Sequence, residues 1–524
     1  MSTAPAAPQE PPSWEHCGHG ADPVTDPVGC RGRHLPYRTA CLAHASPAER
    51  DSYLALLYPG APLDHRGTRL TGPLLRSLLD ALRDPDTSAL MIGDAWFTGA
   101  MFSDDAWFTV PTFTRDAFFN GATFNGDAWF AGARFKGDAW FAGATFSGVV
   151  RFDLARFHCD ARFDRATFAG ESMLGPLVCV GSVGLDGAVF ETPATIEIAA
   201  TAVNCRRTRW MSTAALRLRY ATADLTDAVL SSPVAVTAHP TSFTPSDVMA
   251  VDESLLADAD RGVRVTSVRG VDAAHLVLTD TDLSACRFFG AFHLDQLRIE
   301  GHCTFAPVPE GWYIRPPFRW TRRRTLAEEH HWRATRAISS PSPPRRWLPG
   351  SPSDRIPQPA EVAATYRQLR KAPQDSKDEP GSADFYYGEM EMRRHDRTPE
   401  TTAVERGLLG AYWILSGYGL RASRALVALG LVMTATVLAL MMWGLPSGMP
   451  PPTQYIKEPL PAGQRSQKTL YETYERRPGG RAPGPWSEKF SRQRTERALR
   501  TSVNSVLFRS AGQGFGLGEH RYSG

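Results

Sequence analysis

The strongest pattern along the chain is a phenylalanine that returns every five or six residues. Positions 97, 102, 108, 113, 119, 124, 130, 135, 141, 146, 152, 157, 163 and 168 are all Phe, and the spacing alternates between five and six. The residue two before each is Ala in twelve of the fourteen cases, Pro111 and Val150 being the exceptions. In extended backbone, side chains two apart share a face, so the small and the large residue enter one interior. The count runs on less strictly through Leu174, Cys179, Leu185, Phe190, Ile196 and Thr201. A strand this short cannot bury its own apolar face. Coils stacked about 4.8 Å apart can, because each pairs its neighbour's backbone and extends one column. The pattern predicts a mainly β fold: a right-handed parallel β-solenoid over residues 92–201. Its coils would hold about 22 residues, built from 11-residue double units, with the extra sixth residue in a corner. That extra residue often falls in a Gly-Asp pair, as at Gly126-Asp127 and Gly137-Asp138.

The position just before each core residue of alternate units faces outward, and at every eleventh residue it reads Trp96, Trp107, Phe118, Trp129, Trp140, Arg151 and Arg162. Two aromatic ladders on opposite faces result. An exposed aromatic stripe of that length is covered either by the chain's own C-terminal helices or a second copy, or by a partner protein that binds Trp96, Trp107, Phe118, Trp129 and Trp140. Over residues 202–306 the repeat degenerates to fragments such as Ala223-Asp224-Leu225 and Thr281-Asp282-Leu283. We read further irregular coils there, interrupted by a loop at 238–262.

Units such as Ala223-Asp224-Leu225-Thr226-Asp227 and Ala133-Arg134-Phe135 resemble the pentapeptide-repeat family, which places a small residue two before a central Leu or Phe. The resemblance implies four faces to a square coil. It also raises DNA mimicry directed at topoisomerases, a role some members have and one that needs a strongly acidic surface. Between residues 91 and 170 nine acidic residues face seven basic ones, too even a balance for that role. The whole-chain net charge of +3 gives no reason to expect a nucleic-acid partner either.

Ahead of the repeat, residues 1–45 form a loop-rich module holding Cys17, Cys30 and Cys41-Leu42-Ala43-His44. A structural zinc ion takes four N or S ligands, and a C-x-x-H step brings two of them to one ion. Cys17, Cys30, Cys41 and His44, with His19 as substitute, are the candidate ligands of a structural Zn. The gaps of 12 and 10 residues match no common zinc-finger spacing, so unligated cysteines remain the competing reading. The N-terminus lacks the basic start and apolar run of a secretory signal, which places this region in the cytoplasm with reduced thiols. Residues 46–91 form a helical cap. Ser46-Pro47-Ala48-Glu49 is a capping box opening a helix to about Leu57, and a second helix runs from about Gly72 to Arg83.

Residues 307–360 are a Pro- and Arg-rich linker in which Arg322, Arg323 and Arg324 stand among Trp312, Tyr313, Trp320 and Trp332. Anionic lipid, nucleic acid and plain solvent are the alternatives for this stretch, and lipid is the most economical beside a membrane anchor. His330-His331 lacks helical ligand spacing and reads as solvent-facing. Juxtamembrane helices occupy 361–423, at 361–371, 382–395 and from about 402. Ala425 to Leu445 carries no charge over 21 residues, about 31 Å of helix and enough to cross a bilayer. We read residues 424–445 as a single transmembrane helix. Arg406, Arg421 and Arg424 before it give a slight bias to a cytoplasmic N-terminal solenoid at the cell membrane. Residues 446–524 read as a polar tail, largely disordered, with one short helix near Ala498–Phe508.

The stretch Tyr366-x-x-Leu369-Arg370-Lys371, then Ala383-Asp384-Phe385-Tyr386-Tyr387 and Ser416-Gly417-Tyr418-Gly419, resembles the juxtamembrane part of channel-linked pentapeptide-repeat proteins. That implies a degenerate channel-related sensor or subunit as an alternative function. Gly417-Tyr418-Gly419 precedes the membrane helix, so no pore helix supports it as a filter. The sequence offers no phosphate loop, nucleophile elbow or paired carboxylates, and no enzyme is expected. The leading expectation is a non-catalytic membrane-anchored scaffold.

Overall fold

Successive Phe-centred strands turn a corner after every five or six residues, so the chain returns above itself every 22. In the computed structural model, which describes residues 11–244, 251–309, 323–338, 347–350, 355–399, 401–444, 490 and 492–507, the strands pair in parallel at that offset. One column runs Leu63, Ala95, Ala117, Ala139, Ala161, Val183, Val203, Ala223 and Val265. Each core Phe lies on the Phe 22 residues away, on four faces. Phe97 stacks on Phe119, Phe102 on Phe124, Phe108 on Phe130 and Phe113 on Phe135, with centroids 4.5–5.2 Å apart and planes within 12°. The expected parallel β-solenoid with 22-residue coils is therefore present, and its Phe columns are fully buried.

The six-residue units owe their extra residue to a carboxylate. Asp105 Oδ1 accepts the Asp127 amide at 2.9 Å, Asp116 that of Asp138 at 2.9 Å and Asp127 that of Val149 at 2.8 Å. An amide that cannot reach the next coil's carbonyl in the corner is thus bonded to the Asp one coil below. The glycine before the Asp makes room: a Cβ on Gly137 would lie 2.3 Å from Asp116 Oδ1 and 2.7 Å from the Arg115 carbonyl carbon.

Beyond Gly184 the coil shortens. Ala194–Asn204 is one continuous strand, in which Ile196, Ile198 and Ala200 alternate inward with no corner residue spent. Cys179 pairs with Ala200, so the expected core position Thr201 slips out by one. Thr201 is exposed and donates its Oγ1 proton to the Gly181 carbonyl at 2.7 Å. Cys205 and Leu225, and Trp210 and Leu230, then stand 20 residues apart, with Trp210 stacked on Phe190 at 4.3 Å. Parallel pairing continues through Arg264–Ser267, Leu276–Thr279 and Arg298–Glu300.

Between Ala238 and Arg264, described residues on both sides of 245–250 pack on the outside of the coil. Phe243, Val251 and Leu256 bury Val178 and Ala199 on the outer surface of one face. Glu253 locks this flap: its carboxylate pairs with Arg219 at 2.8 Å and accepts from the Tyr220 hydroxyl at 2.9 Å, and both ionic side chains are buried.

Both ends of the stack are closed. At the first coil, helix α1 (Pro47–Leu54) begins with the expected capping box, and α2 (Gly72–Asp80) turns Leu74, Leu75, Leu78 and Leu79 into the core that holds Phe97 and Phe102. At the last coils stand α3 (Ala327–Ile338), α4 (Pro359–Leu369), α5 (Lys371–Asp375) and α6 (Glu379–His395). Glu328 of α3 accepts the amides of Phe288 and Phe289 at 2.5 and 2.8 Å, and Phe385 meets Phe305 edge-on at 5.1 Å. Glu329, fully buried, takes Arg323 at 2.6 Å, Arg333 at 2.8 Å and the Tyr366 hydroxyl at 2.6 Å. Burial by itself would raise the Glu329 pKa, but the two guanidinium groups outweigh it and hold it at about 2.

Residues Met1–Arg406 form one unit and Gly407–Gly524 another. Helix α7 (Ala403–Ser416) leads into α8 (Ala422–Ala439), whose last turn widens through Leu440–Gly444. Ala422–Trp443 is long and apolar enough to cross a membrane. Helix α9 (Arg492–Leu507) supplies the helix expected in the tail, while residues 445–489 and 508–524 lie outside the described residues.

Substitutions at two of these contacts should separate their contributions. Gly137→Ala should destabilise the solenoid by about 1–3 kcal/mol, because the added carbon meets backbone on one side and a bonded carboxylate on the other. Gly143→Asn, where the space is open and the positive φ suits Asn, should lower the melting temperature less. Glu329→Gln should cost about 3–5 kcal/mol at neutral pH, since it leaves two buried guanidinium groups with a neutral partner. A carboxyl held below its ordinary 4.5 stabilises the fold above that pH, and the contribution fades as pH falls towards about 2. Melting curves of the two proteins should accordingly converge across that interval. A gap that stays constant would remove Glu329 from the acid response.

Candidate metal centre and solenoid faces

The N-terminal module brings its three cysteines together by short backbone pairings. The Cys17 amide donates to Gly32 O at 2.9 Å and the Gly18 amide to Cys30 O at 2.8 Å, setting Cys17 beside Cys30. A tight turn in which the His44 and Ala45 amides donate to Cys41 O aims Cys41 and His44 at the same point. Gly32 is required beside them, as a Cβ there would lie 2.8 Å from that of Cys41. The donor atoms of Cys17, Cys30, Cys41 and His44 all fall within 4.8 Å of one another.

Three of the six separations are those of a zinc tetrahedron. Ligands about 2.3 Å (S) and 2.0–2.1 Å (N) from one zinc ion stand about 3.8 Å apart for two sulfurs and about 3.6 Å for sulfur and nitrogen. Cys30 Sγ and Cys41 Sγ are 3.7 Å apart, far beyond a disulfide, while His44 Nδ1 is 3.6 Å from Cys17 Sγ and 3.5 Å from Cys41 Sγ. The Cys41 thiol hydrogen-bonds to Cys30 and brings the Cys30 pKa down to about 5, and the same contact together with burial pushes Cys41 up. His19 stacks on His44 at 4.2 Å and stands outside the donor set, while His34 bonds to the His16 carbonyl. This Cys3His group could hold a metal ion.

The outward aromatics line two opposite faces. Trp107 stacks on Trp129 at 4.9 Å and 4°, and the Arg151 guanidinium lies over Trp129 at 5.2 Å. On the other face Trp96 lies parallel to Phe118 at 6.5 Å, and Arg162 covers Trp140 at 5.2 Å. The ring faces are thus turned along the stack towards one another and towards arginine, and the edges are turned outward. The helices α3 to α6 pack on the last coils, where Lys371 of α5 pairs with Asp295 at 3.5 Å and Glu328 of α3 accepts the Phe288 amide.

Of the three arginines expected at a lipid surface, the two that are described are both paired with carboxylates. Arg323 is 5% exposed, bound to Glu329 and lying over the Tyr387 ring, so it has no access to headgroups. Arg324 pairs with Asp378, and its amide donates to Asp384. Arg322, like Trp312, Tyr313 and Trp320, lies outside the described residues. His330, expected in solvent, is buried against the Thr325 hydroxyl at 2.8 Å, and burial lowers its pKa to about 4. A single-sequence pattern of arginines and aromatics cannot distinguish a solvated segment from one that closes a core with ion pairs.

A cavity of about 500 Å³ separates the last coil, at His302 and Cys303, from Asp378 and Phe385. Its Arg324 and Asp378 neutralise each other, and burial raises the Cys303 thiol's pKa, which suppresses its nucleophilicity.

Comparison with known proteins bears on the coils. A family model described as pentapeptide repeats, in nine copies, matches residues 97–145 and 108–156. No curated protein and no solved structure matches the chain. The match ends well before the juxtamembrane helices and therefore adds nothing to their resemblance to channel-linked proteins. The matched residues are those whose Phe columns and 22-residue register define the solenoid, and over these coils the chain is similar to the pentapeptide-repeat family.

Proposed function

We propose that this protein is a non-catalytic scaffold held at the cell membrane by a single span, with a structural zinc ion fastening the N-terminal cap of its solenoid. The observation that carries the anchor is α8. Leu426, Val427, Leu431 and Val432 are each more than 60% exposed on a helix of 22 residues through Trp443, which is about 33 Å long. So large an apolar surface is unfavourable in water and matches a hydrocarbon core. Arg421 and Arg424 at its beginning favour a cytoplasmic N-terminal unit. The solenoid then supplies rigid faces for a protein partner or a second copy. Trp107, the end rung of its ladder and 51% exposed, is the point of attachment we favour.

The full chain should stay with membranes through alkaline extraction, and Leu431→Asp together with Val432→Asp should release it. In the same membranes, a photo-crosslinking residue in place of Trp107 should capture a second polypeptide. Recovery of the unaltered chain in the soluble fraction would remove the anchor. Capture of nothing would leave the ladders with a purely structural role.

Zinc rests on the 3.5–3.7 Å separations of the Cys3His donors. The chain purified in reducing buffer should contain about one zinc ion, and both Cys41→Ser and His44→Ala should lose it. Chelation should lower the melting temperature of the intact protein, because a metal that binds only the folded module adds its binding energy to folding. A metal-free chain with unchanged melting would overturn the assignment.

A further inference from the structure

Immediately before α8, residues Gly407–Ser416 of α7 present an apolar surface that no part of the described chain buries. Leu408 is 66% exposed, Ile414 65% and Leu415 52%, and α7 has no buried residue. Added carbons on Gly407 and Gly410 would meet nothing within 4 Å. This run has ten residues without a charge, about 15 Å of helix, half of what a hydrocarbon core requires. It is too short to cross, and too apolar to be stable in water.

The elbow between α7 and α8 fixes where this surface can lie. Gly417, Tyr418 and Gly419 all have positive φ, of 54°, 59° and 79°. Three consecutive left-handed residues end α7 abruptly, and only the middle one carries a side chain. That side chain, Tyr418, is buried edge-on against Tyr412 at 5.8 Å. Side chains pack closely against both glycines of the elbow. A Cβ on Gly417 would lie 2.7 Å from Arg421 Cγ, and one on Gly419 would lie 2.7 Å from the Tyr412 hydroxyl. Arg424, in the first turn of α8, reaches back over the Trp413 ring at 5.1 Å and donates to the Trp413 carbonyl at 3.1 Å. Tyr412, Trp413, Tyr418 and Arg424 are thereby gathered at the start of the span. This is the composition of a membrane interface, where amphipathic rings and cationic side chains sit at headgroup depth.

We infer that Gly407–Ser416 is an interfacial helix. It lies on the bilayer surface with Leu408, Ile414 and Leu415 among the upper acyl chains, and Arg421 and Arg424 among anionic phospholipid headgroups. The inference rests on the reading of α8 as a membrane span. Given that span, the packed elbow puts α7 within one turn of the bilayer surface, and the matching surface of stated chemistry is the lipid itself. An amphipathic segment joined to a span in this way would also set the depth and rotation of α8.

The full-length protein, reconstituted in vesicles of phosphatidylcholine with or without phosphatidylglycerol, can be labelled from a lipid carrying a photoreactive group near the top of its acyl chain. Labelled residues are then read by mass spectrometry. We expect labels on Leu408, Ile414 and Leu415 as well as along α8, with the α7 labels rising several-fold when phosphatidylglycerol is present. Leu408→Glu with Ile414→Glu should reduce α7 labelling several-fold and leave α8 labelled. Labels confined to α8 would overturn the interfacial helix and leave the span standing. Labels on neither would overturn the span as well, so the two failures are distinguishable. Cross-links from α7 to protein alone would assign its surface to a partner chain and likewise end the proposal.

Discussion

Each coil of this solenoid completes its backbone hydrogen bonds only through the coils on either side, and the remaining features derive from that dependence. From Phe97 to Phe168 a register of 22 residues sets like on like, so a Phe meets a Phe, and the columns become continuous stacks with rings 4.5–5.2 Å apart. Where a corner adds a residue, the spare amide must find an acceptor, and the acceptor is a carboxylate of the coil below. The Gly-Asp pair is therefore a hydrogen-bonding unit repeated along the axis. Its glycine is set by the space that the carboxylate occupies.

The part of the fold that depends on this periodicity was open to reading from the sequence, because fourteen phenylalanines in strict alternation leave one register. Helix starts were also legible where a side chain makes the cap, as at Ser46 with Glu49. What could not be read was set by neighbours distant in sequence. Thr201 slips because the long strand Ala194–Asn204 turns a corner without spending a residue, a choice that becomes visible only against the strand below it. The flap over Val178 and Ala199 is anchored by Arg219 and Glu253, 34 residues apart. Arg323 and His330 look like surface residues in the sequence. They are buried because Glu329 and Thr325 satisfy them. The metal donors were legible as a set of four residue types, but their convergence depends on Gly32 and on backbone pairings that no spacing rule encodes.

The aromatic ladders change meaning once their orientation is known. A stripe of exposed indoles suggests a platform on which flat ligands stack. Here much of the platform is already occupied, since Trp107 lies against Trp129, Trp96 lies parallel to Phe118, and Arg151 and Arg162 cover Trp129 and Trp140. Stacking and cation–π contact of this kind contribute about 0.5–1.5 kcal/mol per pair, which is a folding role in itself. What remains for a partner is ring edges, guanidinium groups and the end rung Trp107.

The two ends of the stack are closed by different chemistry, and the difference tracks the apolar material available. Helices α3 to α6 bring Leu326, Trp332, Val362, Tyr366, Leu369, Phe385 and Met392 into the core, enough side chains to hold a carboxylate at the last coil's amides. The first 45 residues contribute few buried apolar side chains, chiefly Val28, Leu35, Leu42 and Ala45. A segment with so little to bury cannot offset its chain entropy by burial alone, and a four-ligand cross-link is the device that small folds use instead. The Cys3His group therefore stands in a part of the cap that brings little apolar surface of its own, while Leu74, Leu75, Leu78 and Leu79 of α2 cover the first coil. An open first coil would expose unpaired amides and carbonyls beside Phe97, the template for end-to-end pairing with another chain. A metal ion bound by the Cys3His group would cross-link the loop that carries it.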